Sequence, residues 1–208
     1  KFRCRDYHML RQKASCYLHI VIDTQNAMMQ HTQGRKNAKL AIEINTIVRR
    51  DQRMRKSCVW DASVDRQNTK RLKEIIKEYG WPTISLVGKK AADGAWLIAQ
   101  HVDKDIRFQK RVLGLMRKAV GINEADKKYL AYLIDRIRVN TGKPQLYGTQ
   151  FFSRDRKVWH LRPIEKQAQL NARRATFGLS PFVTYEELVR KSFRKYTAKG
   201  KHRRVHSN

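Results

Sequence analysis

One set of polar residues between positions 101 and 150 has the side chains that acid–base chemistry requires. An imidazole exchanges a proton near neutral pH, and a carboxylate beside it can fix its orientation. A guanidinium can bind an anionic group through two hydrogen bonds, while amides and a phenol can bind the polar atoms of a substrate. If the protein is an enzyme, the candidates for these roles are His101, Asp135, Arg136, Tyr147 and Gln150.

The same side chains also have a structural interpretation. Asp135 and Arg136 would tie a helix to the turn over residues 142–150, and Gln100, Gln109 and Gln145 would satisfy backbone groups of nearby loops. We favour this interpretation, so no catalytic residue is assigned and an enzyme is kept as an alternative.

Neither a metal nor a cofactor is expected. The first part of the chain has zinc-type ligands, but it lacks the closely spaced cysteine pair that is usual in zinc sites. These ligands are Cys4, His8, Cys16 and His19. The two Gly-Lys dipeptides do not have the spacing of a phosphate-binding P-loop.

The periodicity of apolar residues predicts a mainly α protein. About seven helices are expected, with a small irregular or hairpin segment near 151–164. Capping boxes are predicted at Asn123 with Asp126 and at Thr184 with Glu187. The helices are expected near 37–56, 65–79, 89–101, 105–120, 123–137, 165–177 and 185–196. They form one helical core domain over 37–196, between a basic N-terminal extension over 1–36 and a basic tail over 197–208.

The charge balance indicates the partner. The chain has 208 residues with 46 Lys and Arg against 18 Asp and Glu, a formal net charge of +28. Such a chain repels itself unless a polyanion neutralises it. No apolar run approaches the roughly 20 residues of a membrane-spanning helix. The side chains expected to contact RNA are Arg3, Arg5, Arg49, Arg50, Arg53, Arg154, Arg156, Lys157, Lys199, Lys201, Arg203 and Arg204.

These features favour a structural RNA-binding subunit of a large ribonucleoprotein particle. The basic residues are spread over helices, a loop and both ends, and the chain has no helix-turn-helix, zinc-finger or single-strand-binding signature. A ribosome is the expected particle, with ribosomal RNA and neighbouring subunits as partners. A truncation and a removed leader explain the start at Lys1 equally well. If a leader was removed, the expected location is the mitochondrial matrix, and otherwise it is the cytoplasm.

Two other functions stay open. One is an enzyme, such as a nuclease or toxin-like hydrolase, that acts on an anionic or nucleic-acid substrate. The other is a basic subunit of a membrane-bound assembly.

Five short patterns together resemble one bacterial domain family of unknown function, numbered sixty-six twenty-four. They are Asp-Gln-x-x-Arg at 51–55, Tyr-Gly-Trp-Pro-Thr with Leu-Val-Gly at 79–88, Gln-His at 100–101, Ala-Tyr-Leu-x-Asp-Arg at 131–136 and Gln-x-Tyr-Gly-Thr-Gln at 145–150. The resemblance covers roughly residues 45–187. It implies a mainly helical fold and brings no established activity, and the basic arms are additional to it.

Overall fold

The computed structural model describes residues 37–57, 61–152 and 160–192, and their architecture is mainly α. The helices are α1 (Ala38–Lys56), α2 (Ala62–Tyr79), α3 (Ile84–Val87), α4 (Lys89–Gln100), α5 (Ile106–Gly121), α6 (Lys127–Asn140), α7 (Leu170–Thr176) and α8 (182–192). Strands β1 (Phe151–Phe152) and β2 (His160–Leu161) pair antiparallel, with Phe151 opposite Leu161. The predicted helical class and the small hairpin within 151–164 are therefore confirmed.

Helix α4 lies at the centre of the core. It packs against α1, α2, α3, α5 and α6, and its inner face carries the buried residues Ala91, Ala95 and Ala99. A Cβ atom added at Gly94 would lie 2.8 Å from Cγ2 of Val48 on α1. The small side chains of α4 thus allow its neighbours to approach closely.

Side-chain caps fix where several helices begin. Asp61, Thr83 and Asp105 each accept a hydrogen bond from a backbone N–H in the first turn of α2, α3 and α5. The single-turn helix α3 was not expected. It forms after the Trp81-Pro82 break because the Thr83 hydroxyl oxygen caps the turn, accepting from the N–H of Leu86 at 3.3 Å.

Three predicted helix starts are wrong. Asn123 has a left-handed backbone (φ 59°), and Asp126 is the N-cap of α6, accepting from the N–H of Lys128 at 2.9 Å. Thr184 lies inside α8, because helical backbone already starts at residue 182. The helix expected from 165 starts only at Leu170, after a 3₁₀ turn, because Lys166 adopts a left-handed conformation (φ 43°) that no α-helix accommodates.

In the part of the chain that the structure describes, no helix combines the length and apolar composition that a bilayer crossing requires. The N-terminal extension over 1–36 and the tail over 197–208 lie outside the described residues.

Candidate functional site

His101 pairs with a carboxylate on α1 rather than with Asp135. It follows α4 directly, and its Nδ1 atom lies 3.1 Å from Oδ1 of Asp51. Asp51 is 1% exposed because it lies on the face of α1 that packs against α4, whereas the His101 side chain is 17% exposed. The contact therefore joins a buried carboxylate to an imidazole that solvent reaches.

The Asp51 carboxylate also accepts hydrogen bonds from its own helix. Arg55 donates from Nε to both carboxylate oxygens at 3.1 Å, and Gln52 donates from Nε2 at 2.8 Å. Burial by itself raises the pKa of Asp51, but the hydrogen bonds and charges of His101 and Arg55 outweigh it and lower this pKa below its ordinary value. Asp51 is thus held as an anion that can orient His101.

Two further carboxylates lie near this pair. Arg55 donates to Asp65 of α2 at 2.8 Å. The pKa of Asp65 is raised, chiefly by burial and further by the negative charges of Asp51 and Asp103, although Arg55 and His101 partly offset this. Three acidic side chains therefore share the surroundings of His101, and Arg55 bridges two of them. We call Asp51, Arg55, Asp65, His101 and Asp103 the His101 cluster.

Arg136 connects the His101 cluster to the loop after α6. It donates from Nε to Asp103 at 2.7 Å and from Nη1 to Oε1 of Gln150 at 3.1 Å, and Asn140 also donates to Asp103, at 2.8 Å. Burial raises the pKa of Asp103, but the hydrogen bond and charge of Arg136 outweigh this and lower it. Arg136 thus binds a carboxylate of the protein rather than a substrate, and its contact with Gln150 ties α6 to the loop over 142–150.

Asp135 has a different function from the one expected if the protein is an enzyme. Its fully buried carboxylate accepts from the N–H groups of Leu146, Tyr147 and Thr149 at 2.7–3.1 Å, and from the Thr149 hydroxyl at 2.9 Å. Burial raises the pKa of Asp135, and these hydrogen bonds offset only part of the increase. Asp135 therefore ties α6 to the loop over 142–150, as the structural interpretation predicts, and it does not orient His101, whose partner is Asp51.

The remaining polar candidates mostly hold backbone in place. Gln145 donates to the carbonyls of Gln150 and Arg162, and Gln109 donates to those of Ala99 and Gln100. The Tyr147 ring packs edge-on against Phe177 at 4.7 Å. Oε1 of Gln100 is buried without a hydrogen-bond partner among the described residues, directly before His101 in the chain.

Of the predicted RNA contacts, the structure places three, all on α1. Arg49 and Arg53 are exposed beside a shallow depression that Gln52 and Lys56 also line. Arg50 instead donates to Asn68 and Gln67 of α2. The other predicted contacts, Arg3, Arg5, Arg154, Arg156, Lys157, Lys199, Lys201, Arg203 and Arg204, lie outside the described residues.

Sequence reasoning missed two sets of residues. Asp51 and Arg55 were visible as an Asp-Gln-x-x-Arg pattern but had no assigned function, and Asp103 had no signal beyond following His101 by two residues. The cations of α5 were also missed, although that helix contains five Lys and Arg and no Asp or Glu. No group of three or more His, Cys, Asp or Glu side chains within 37–57, 61–152 and 160–192 is placed to hold a metal ion.

The family follows from the comparisons with known proteins. No curated protein and no solved structure matches the chain. Residues 29–199 match the model of a family described as a family of unknown function, DUF6624. This span contains the His101 cluster, Asp135 and the loop over 142–150, and it extends beyond residues 45–187. With more than half of its length matched, the chain belongs to this family of unknown function.

Proposed function

We propose that the protein is a structural RNA-binding subunit of a large ribonucleoprotein particle, with a ribosome of the mitochondrial matrix or cytoplasm as the expected particle. The observation that carries this proposal is that many Lys and Arg side chains of the described residues have no carboxylate partner there. Many basic side chains make no ion pair with any described residue. They include Arg49, Arg53, Lys56, Lys70, Lys77, Arg107, Lys110, Arg111, Arg117 and Lys118.

The acidic side chains are already engaged within the fold. Asp51, Asp103 and Glu165 pair with arginines, and Asp105 pairs with Lys73. The Asp135 carboxylate accepts hydrogen bonds from backbone N–H groups of the loop over 142–150. Few carboxylates are left to neutralise the surface, so the repulsion between cations favours binding of an external polyanion.

The unpaired cations lie on several sides of the core. Helices α1 and α2 pack on each other and on α4, whereas α5 packs on α4 and α6. The outward faces of these helices consequently point in different directions. Cations on several sides suit folded RNA that surrounds the protein better than a single groove of a duplex.

Sedimentation tests this proposal. The tagged full chain is expressed in its native host, and lysates are fractionated on a gradient with and without RNase. We expect the protein in heavy fractions that RNase shifts to light ones, and the RNA recovered with it identifies the particle. Sedimentation as a free protein in both lysates would contradict the proposal, as would equal affinity of the purified protein for an RNA hairpin and for a DNA duplex of equal length.

The contact between His101 and Asp51 favours a second candidate function, an acid–base enzyme that acts on an anionic or nucleic-acid substrate. A buried carboxylate orients an accessible imidazole, which is the arrangement of a general base with its positioning group. Purified protein is incubated with labelled RNA and with labelled single-stranded DNA, and products are separated on gels. Cleavage that His101→Gln abolishes in a folded protein supports this function. Cleavage unchanged in that variant excludes His101 as its base.

A further inference from the structure

The outer face of α5 is a continuous cationic surface. At 3.6 residues per turn, seven positions fall within an arc of about 120° around the helix, all of them exposed. The opposite face is buried through Phe108, Val112 and Met116. The exposed positions, which we call the α5 face, are Arg107, Lys110, Arg111, Gly114, Arg117, Lys118 and Gly121.

No acidic residue of α5 offsets these charges. The helix contains no Asp or Glu between Ile106 and Gly121, and none of its five cations forms an ion pair with a described residue. Asp105, the N-cap, is itself paired with Lys73 at 2.7 Å. The α5 face is thus complementary to an extended anion along its whole length of about 21 Å.

Gly114 lies in the middle of the α5 face. A Cβ atom added there would meet no atom within 4 Å, and the same holds at Gly121. Packing therefore does not explain these glycines, which weaken a helix relative to alanine. A helix surface without side chains between flanking cations lets a polymer backbone approach closely.

The chemistry of the α5 face favours nucleic acid over a membrane. A helix that lies on a bilayer buries an apolar face among the lipids. The apolar residues of α5 are buried or half-buried against the protein core, and its exposed arc contains only cations and glycines. The α5 face therefore offers cations that phosphates can contact and no apolar surface for lipid.

We propose that the α5 face is a docking surface for the sugar–phosphate backbone of RNA, with cations on both sides of Gly114 contacting phosphates. This inference rests on the proposed function and assigns it a surface that the sequence reasoning did not identify.

Matched charge reversals in the full chain test the proposal. The variant Lys110→Glu with Lys118→Glu alters the α5 face, and Lys70→Glu with Lys77→Glu makes the same change in net charge on α2. Binding to a fluorescein-labelled RNA hairpin is followed by anisotropy at several KCl concentrations. For the α5 variant we expect Kd to rise about tenfold or more beyond that of the α2 variant. We also expect the salt slope, meaning the steepness with which the logarithm of the affinity falls with the logarithm of the KCl concentration, to decrease by about 2, because each phosphate contact contributes about 1 to it.

The outcomes separate the two proposals. Equal weakening by both double variants, with salt-sensitive RNA binding by the unaltered protein, overturns the α5 proposal and leaves the proposed function intact. No RNA binding by the unaltered protein overturns both. Tighter binding to phosphatidylserine vesicles than to RNA, lost in the α5 variant, assigns the face to a membrane and overturns the proposal.

Substitutions at Gly114 test the close approach separately. Because the site is open, Gly114→Ala and Gly114→Leu should both fold, with a Tm no lower than that of the unaltered protein. Gly114→Leu should nevertheless weaken RNA binding about fivefold, while Gly114→Ala changes it less. If Gly114→Leu leaves the RNA affinity unchanged, the RNA backbone does not approach α5 closely at Gly114.

Discussion

At the scale of single residues, two buried aspartates show how their hydrogen-bond donors determine their roles. Asp51 is surrounded by charged or ionisable donors, His101 and Arg55, and its pKa is lowered. Asp135 is surrounded by neutral backbone N–H groups and the Thr149 hydroxyl, and burial raises its pKa. The first aspartate is thus an anion held within a charged cluster, and the second anchors a loop.

Replacing Asp51 with asparagine should lower the free energy of unfolding by about 3 kcal/mol, because it removes the anion of a buried pair and leaves Arg55 and His101 without it. Chemical denaturation of both proteins at pH 7 measures the difference. Asp61→Asn serves as the control, since Asp61 is an exposed N-cap and asparagine caps equally well. A loss at Asp51 no larger than that of the control would contradict the pairing.

The effect of Asp51 on stability should depend on pH in one direction. Its folded pKa is lowered, so its stabilising contribution is complete above the unfolded value near 3.8 and is lost as the pH falls through the folded pKa. The difference in unfolding free energy between the unaltered protein and Asp51→Asn should therefore shrink below about pH 4. Denaturation series at pH 7, 5, 4 and 3 measure it, and a difference that grows on acidification contradicts the sign.

A graded pair of substitutions tests the anchoring role of Asp135. Thr149→Val removes one hydrogen bond to its carboxylate and should cost about 1 kcal/mol. Asp135→Asn also places an NH₂ group among N–H donors and should cost about 3 kcal/mol. Thermal denaturation measures both, and RNA association should survive wherever the fold survives. Equal costs for the two variants would mean that the backbone contacts contribute nothing.

Sequence alone identified the residue types at the candidate site but not their partners. His101 and Arg136 contact the carboxylates of Asp51 and Asp103, to which sequence reasoning assigned no role. The partner of His101 lies 50 residues earlier in the chain and meets it only because α1 packs on α4. Periodicity predicts the buried face of each helix but not which helices pack together. The enzyme alternative therefore took Asp135, chosen by its residue type, as the group that orients His101.

At the scale of elements, strong apolar stripes were predictable and irregular starts were not. Helices α1, α2, α4 and α5 match their predictions within about three residues, because each has a continuous buried stripe. The starts of α6, α7 and α8 depend on the backbone conformations of Asn123 and Lys166 and on helical backbone before Thr184. The spacing of apolar residues does not predict such local backbone conformations.

Gly94 provides a test of the close packing between α1 and α4. A Cβ atom there would lie 2.8 Å from Cγ2 of Val48, so Gly94→Ala should force α1 outwards and lower the free energy of unfolding by about 1–3 kcal/mol. Gly114→Ala is the matched control, since it places the same methyl group in open space on α5. Thermal melts compare the two, and a Gly94→Ala protein as stable as its control would show that the contact relaxes without cost.

At the scale of the whole molecule, we expect the basic tail to contribute to RNA binding and the helical core to contribute to stability. Within 37–57, 61–152 and 160–192, ion pairs and an apolar core hold the helices together. The basic tail over 197–208 contributes Lys199, Lys201, Arg203 and Arg204, and its apolar residues are only Ala198 and Val205. A segment of this composition buries too little surface to offset the entropy lost on ordering, about 1–2 kcal/mol per residue for the backbone. Its contribution is therefore expected in RNA binding rather than in folding.

Deletion of residues 197–208 tests this separation. The shortened chain should keep the Tm and helical circular dichroism of the full chain, while its affinity for an RNA hairpin falls and its salt slope decreases by up to about 4, one for each lost Lys or Arg that contacts a phosphate. The full-length variant with Lys199, Lys201, Arg203 and Arg204 replaced by glutamine is the control, because it removes the charges and keeps the length. If this variant binds RNA as the full chain does while the deletion weakens binding, the tail acts through contacts other than phosphate neutralisation. If the deletion lowers the Tm, the tail belongs to the folded core.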